Sequence, residues 1–138
     1  MKFDDYREKA RAFRHMVEIG QEYDDPLDAL HGHFNVADEE WREMCECELN
    51  IESVLVGDAD DFGDVPQQEM VEMAEEMADV VVTMHIMADM LGIDLKAAYE
   101  KKMEYNLSKS ATKDENNKVT DDADIDKPQF HDTVGGVQ

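Results

Sequence analysis

Along most of this chain apolar positions recur every three or four residues, and no stretch alternates with the period of two that marks a half-buried strand. Tyr6, Ala10, Phe13 and Val17 share one face of a predicted first helix near residues 5–19, with Gly20 as its C-cap. Residues 21–35 hold Pro26 and Gly32 and predict a connection, with a short turn at 27–30. A second helix is expected from a cap at Asp38 to about Val56, with Trp41, Met44, Cys45, Ile51 and Leu55 as its apolar positions. The stretch GDADDFGDVP is a loop that brings Pro66 to the edge of the longest helix. That helix covers residues 71–91, where Met73, Met77, Val80, Met84, Met87 and Leu91 form one stripe. Gly92 breaks it. Asp94 can cap a fourth helix over 95–109, with Ala97, Ala98, Met103 and Leu107 as buried candidates. The expected fold class is all-α with four helices: one domain over 1–109, then a polar tail over 110–138 that is mobile or orders on contact.

Composition narrows the partners. A chain of 138 residues with 42% hydrophobic content has enough for one real core. Its 35 Asp and Glu against 13 Lys and Arg leave a net charge of −22. Binding to a nucleic-acid duplex or to an anionic membrane surface calls for the opposite sign. No apolar run reaches the ~20 residues that span a bilayer, and the N-terminus lacks an apolar signal segment. Cys45 and Cys47 lie on a predicted helix, where a disulfide between them would be strained, so reduced thiols and a cytoplasmic setting are expected. His31 and His33 have no second Cys or His pair at zinc spacing.

The chemistry concentrates beside the Met stripe. Glu76 and Asp79 stand three apart on the long helix, with Glu72 and Thr83 extending their strip. Such a strip is ordinarily a solvated face; next to apolar positions it also suits a hard cation, because a buried carboxylate needs a donor or a metal. On the second helix, steps of three and four through the apolar positions pass through Glu48 and reach Glu52, whereas Glu39, Glu43, Glu46 and Asn50 fall on the face expected in water. Glu48 and Glu52 are therefore the expected partners of Glu76 and Asp79, with an ion pair to Lys or Arg as the other account of Glu48.

The segment EEMADVVVTMHIMADMLGIDLKAAYEKKMEYNLSKS resembles the second half of a MazG-type all-α nucleoside triphosphate pyrophosphohydrolase. Glu76, Asp79, the Leu-Gly-Ile-Asp at 91–94, Lys102, Asn106 and Lys109 match that family's order of E-x-x-D, apolar helix, L-G-I-D and Lys/Asn signature. The tail NNKVTDDADIDKPQF is similar to that of a phage and bacterial branch of phosphoribosyl-ATP pyrophosphohydrolase-like proteins. The family's first-half motif is E-E-x-x-E. The literal string Glu39-Glu40-x-x-Glu43 stands out of the apolar register, and the register position instead holds Cys47, Glu48 and Ile51 or Glu52. The resemblance implies a four-helix bundle that hydrolyses (deoxy)nucleoside triphosphates to the monophosphate and pyrophosphate. Mg²⁺ or Mn²⁺ would be held by Glu48, Glu52, Glu76 and Asp79; of these, Glu48, Glu76 and Asp79 would be catalytic. Lys102, Asn106 and Lys109 would meet the substrate. A homodimer or homotetramer is expected, with the Met-rich helix against a second subunit, acting in a cytoplasm, a phage's host included. Phosphoribosyl-ATP as substrate, and a non-catalytic acidic interaction protein, are the alternatives.

Overall fold

The computed structural model describes residues 3–18, 23, 25–57, 60–108 and 127–135. The chain is all-α: α1 (Phe3–Glu18), α2 (Pro26–Leu55), α3 (Gln67–Leu91) and α4 (Leu95–Ser108), with short 3-10 turns at Phe62–Asp64 and His131–Thr133. Among the described residues there is no strand, only an isolated antiparallel bridge between Ile93 and Val134. No described helix is long and apolar enough to cross a membrane. The chain divides into two compact units, Met1–Met87 and Ala88–Gln138. The division falls within α3. Lys109, Gly20 and residues 109–126 lie outside the described set.

In the first unit, α2 starts twelve residues before the expected cap at Asp38. Asp25 is the N-cap, its Oδ1 accepting from the Asp28 N–H at 2.9 Å, and Pro26 takes the first turn, where its missing N–H costs nothing. Gly32, expected as a breaker, sits inside the helix: a Cβ there would lie 2.6 Å from the Tyr23 ring. It is a close-approach glycine. The packed stripe of α2 is His33, Ala37 and Cys47, with Glu40 and Met44 half-buried between them, at steps of four and three. This corrects the expected register. Trp41 is 53% exposed and Glu48 and Glu52 face water. The small residues Ala37 and Cys47 are buried on this stripe, and of the apolar residues that set the expected register only Met44 falls on it. Before α3, Asp61 and Asp64 form a reciprocal capping box and Val65 is buried. The stripe of α3 is only partly packed: Met87 is buried beside Ile86 and Thr83, while Met77 is 53% exposed and Met84 is also exposed.

In the second unit, Gly92 takes a left-handed conformation (φ 69°) and the Ile93 N–H donates to the Ala88 carbonyl at 2.8 Å, closing the helix in a Schellman arrangement. Asp94 caps α4 as expected, Oδ1 accepting from the Ala97 N–H at 3.1 Å. The buried residue of α4 is Tyr105; Met103 and Leu107, expected inside, are exposed. Residues 127–135 meet α4 at Lys101, whose Nζ donates to the Gln129 carbonyl (2.7 Å) and to Asp132 Oδ1 (2.6 Å) and stands over the Phe130 ring. The Asp94 N–H donates to the Thr133 carbonyl at 2.7 Å. This stretch of the tail is ordered, with Thr133 only 2% exposed.

Candidate functional site

Within the first unit, α2 and α3 bring three carboxylates together. One oxygen each of Glu40, Glu43 and Glu76 lie within 4.8 Å of one another. The Oε2 atoms of Glu40 and Glu76 are buried with no hydrogen-bond partner. Burial is the main cause that raises the Glu76 carboxyl above its ordinary value; the charges of Glu43 and Asp79 add to it, and so does a hydrogen bond with Glu43. Glu40 is raised for the same causes in the same order, with Glu76 contributing last. One turn further along α2, burial and then the charges of Glu76, Glu72 and Glu69 push the Cys47 thiol up, which keeps it protonated and unreactive.

Beside the carboxylates lies a cavity of about 760 Å³. Glu40 and Asp79 line it, and so does the predicted apolar face of α1: Tyr6, Ala10, Phe13 and Val17. Of those four only Ala10 is buried, while Tyr6 and Phe13 are exposed. Val82 and Ile86 of α3 complete an apolar wall, and His85 stacks on Tyr6 at 5.7 Å between ring centres. Burial lowers the basicity of His85. The volume and the mix of apolar wall with few polar groups are those of a small-molecule site.

Of the residues expected from the sequence, Glu76 stands in the carboxylate cluster, and Asp79 lies within electrostatic reach of Glu76 and Glu40. Glu48 and Glu52 are not in the cluster; they are exposed on another side of α2. Their places are taken by Glu40 and Glu43, which the expected register had left facing water or unused. The signal that would have found them is the literal string Glu39-Glu40-x-x-Glu43, together with the stripe from His33 to Cys47. In the second unit, Lys102 is exposed with Nζ 5.1 Å from the centre of the Tyr105 ring, and Asn106 is exposed. Lys109 is outside the described residues.

A family model for the MazG-like family matches residues 43–123, more than half of the chain. The chain belongs to the MazG-like family. Membership points to nucleotide pyrophosphohydrolase activity in general, and the matched span contains Glu43, Glu76 and Asp79. No significant match was found among curated proteins or solved structures. MazG-like proteins typically depend on a divalent metal, and the residues here fit one. The donors are hard carboxylate oxygens, two of them buried and unsatisfied by the protein, and their mutual repulsion is what a cation would relieve.

Proposed function

We propose that this MazG-like chain hydrolyses nucleoside or deoxynucleoside triphosphates to the monophosphate and pyrophosphate, with Mg²⁺ or Mn²⁺ as cofactor. The observation that carries this is the pair of buried, unpartnered oxygens of Glu40 and Glu76, with Glu40 at the edge of a nucleoside-sized cavity. Glu40, Glu43 and Glu76 would hold the cation. When bound, it supplies neutralisation of the triphosphate and polarisation of the phosphoryl oxygens. The apolar wall from α1 and α3 takes the nucleoside end, which places the phosphates toward Glu40 and Asp79. Asp79, which lines the cavity, is positioned to accept a hydrogen bond from the attacking water. The water oxygen bonds to the α-phosphorus, the bond from the α-phosphorus to the bridging oxygen breaks, pyrophosphate leaves with that oxygen, and the water's proton passes by way of Asp79 to solvent. Lys102, Asn106 and Lys109 are assigned phosphate contacts on the strength of the resemblance alone.

The test is pyrophosphate release from a panel of nucleotides, phosphoribosyl-ATP included, in Mg²⁺. Glu76→Gln, Glu40→Gln and Asp79→Asn are each expected to lower kcat/KM by roughly 100-fold or more, the scale of removing one charge-stabilising group from an active site. Glu48→Gln is expected to stay within a factor of about two, as surface changes usually do. Equal activity in all four variants would refute the assignment, and turnover confined to phosphoribosyl-ATP would move the substrate.

A further inference from the structure

Several polar side chains on the cavity wall, Lys9, His33, Thr83 and His85 among them, are not used by the hydrolysis above. His33 lines the cavity and yet is only 6% exposed. Its Nε2 is 2.7 Å from Glu18 Oε1, and Glu18 is itself braced by Arg14 Nε at 3.4 Å. The Tyr23 ring packs against the imidazole at 5.7 Å between centres, tilted by 47°. Tyr23 reaches that position over Gly32, where any Cβ would collide with it. Two residues from separate parts of the first unit, Glu18 and Tyr23, therefore fix the orientation of one ring. A carboxylate only accepts, so Nε2 carries the proton shared with Glu18. Among the described residues that is the imidazole's one hydrogen bond, which leaves Nδ1, the acceptor nitrogen of the neutral ring, without a partner. By contrast, the Thr83 hydroxyl on the same wall is already spent on the Val80 carbonyl at 2.7 Å.

From this we infer that His33 is the residue that reads the nucleobase. Its Nδ1 accepts from an amino or imino hydrogen on the base edge, and Glu18 and Tyr23 act as positioning residues that hold the ring for it. A fixed polar atom on an otherwise apolar wall rejects a base that leaves it unpaired, far more strongly than the apolar wall can discriminate by shape. The inference rests on the reading that the cavity takes the nucleoside end, but it does not need hydrolysis to occur.

The experiment is calorimetric titration of the full chain with non-hydrolysable α,β-imido analogues of the adenine, guanine, cytosine and uracil nucleoside triphosphates in Mg²⁺. The unmodified protein is expected to prefer one base. His33→Leu is expected to reduce the ratio of affinities between the best and the poorest base by roughly tenfold, the scale of one hydrogen bond at a desolvated site. Glu18→Ala, which frees the ring, is expected to reduce that ratio in the same direction. His33→Gln, which keeps an acceptor and is the milder change for folding, is expected to retain part of the preference. A purely structural role for His33 would lower thermal stability and weaken all four analogues alike, with the ratio unchanged, and that result overturns the inference. So does an unmodified protein that binds all four equally or none of them. Base-selective binding that depends on His33, in a protein that releases no pyrophosphate, would sustain the inference while refuting the hydrolase.

Discussion

At the scale of single residues, the site is defined by carboxylates that would rather not be charged. Glu40 and Glu76 hold their protons more tightly in the folded chain than in the unfolded one, through burial first and the charges of Glu43 and Asp79 second. Between the ordinary carboxylate value of 4.5 and the raised folded value, the folded chain binds more protons than the unfolded chain. Stability therefore falls as pH rises through that window, and the whole penalty is present above it. The metal-free protein is expected to gain stability as pH is lowered through the raised folded value toward the ordinary 4.5. Glu76→Gln removes one of these charges. It is expected to raise the neutral-pH melting temperature of the metal-free protein, to flatten the pH slope, and to abolish the extra stabilisation that MgCl₂ gives over NaCl at matched ionic strength. Thermal denaturation at several pH values reads all three. If Mg²⁺ stabilises Glu76→Gln as much as the unmodified protein, the cation sits elsewhere. Glu48→Gln, changed at an exposed position, should keep both the slope and the Mg²⁺ effect.

At the scale of elements, the sequence was most legible where local chemistry and helical period agree. The long helix, its stop at Gly92 and the cap at Asp94 all follow from residues within a few positions of each other. What was hidden depends on partners distant in sequence. Pro26 and Gly32 look like punctuation, yet one starts α2 and the other admits Tyr23. The inner face of α2 was misplaced because Trp41 and Leu55 advertised apolar bulk, whereas the close approach needs Ala37 and Cys47. The α3 member of the carboxylate cluster, Glu76, was thus readable, and the α2 members Glu40 and Glu43 were not, since a carboxylate on a packed stripe makes sense only once its facing carboxylates are known. Likewise Lys101 of α4 is held by tail residues that carry no periodic signal. The account of Gly32 is open to a direct check. In a helix interior Gly→Ala is worth up to about 1 kcal/mol by propensity. At position 32 the gain is expected to be cancelled or reversed, because the Tyr23 ring must leave His33. In a Tyr23→Ala background the full gain should return. A double-mutant cycle from denaturant unfolding measures the coupling. No coupling between the two positions would mean that Tyr23 does not constrain Gly32.

At the scale of the whole molecule, a net charge of −22 and an incompletely covered helix pull in opposite directions. Met77 and Met84 stand seven apart on one side of α3, both exposed, and neither is among the residues that line the cavity. Large apolar side chains aligned on a helix face are what a second copy of the chain would cover. Two copies, however, each bring the same negative charge, and like charges oppose association most at low ionic strength, where screening reaches only over tens of ångströms. Self-association into a dimer or tetramer is therefore expected to strengthen with salt, opposite to the behaviour of an assembly held by ion pairs. Light scattering across a salt series should show the mass rising from one chain toward two or four. Met77→Glu and Met84→Glu, which place a charge on the stripe, should hold the protein at the mass of one chain throughout, while leaving its helical content unchanged by circular dichroism. A mass that stays at one chain in high salt, or an oligomer indifferent to both substitutions, would show that the Met stripe faces water and that the site works within a single chain.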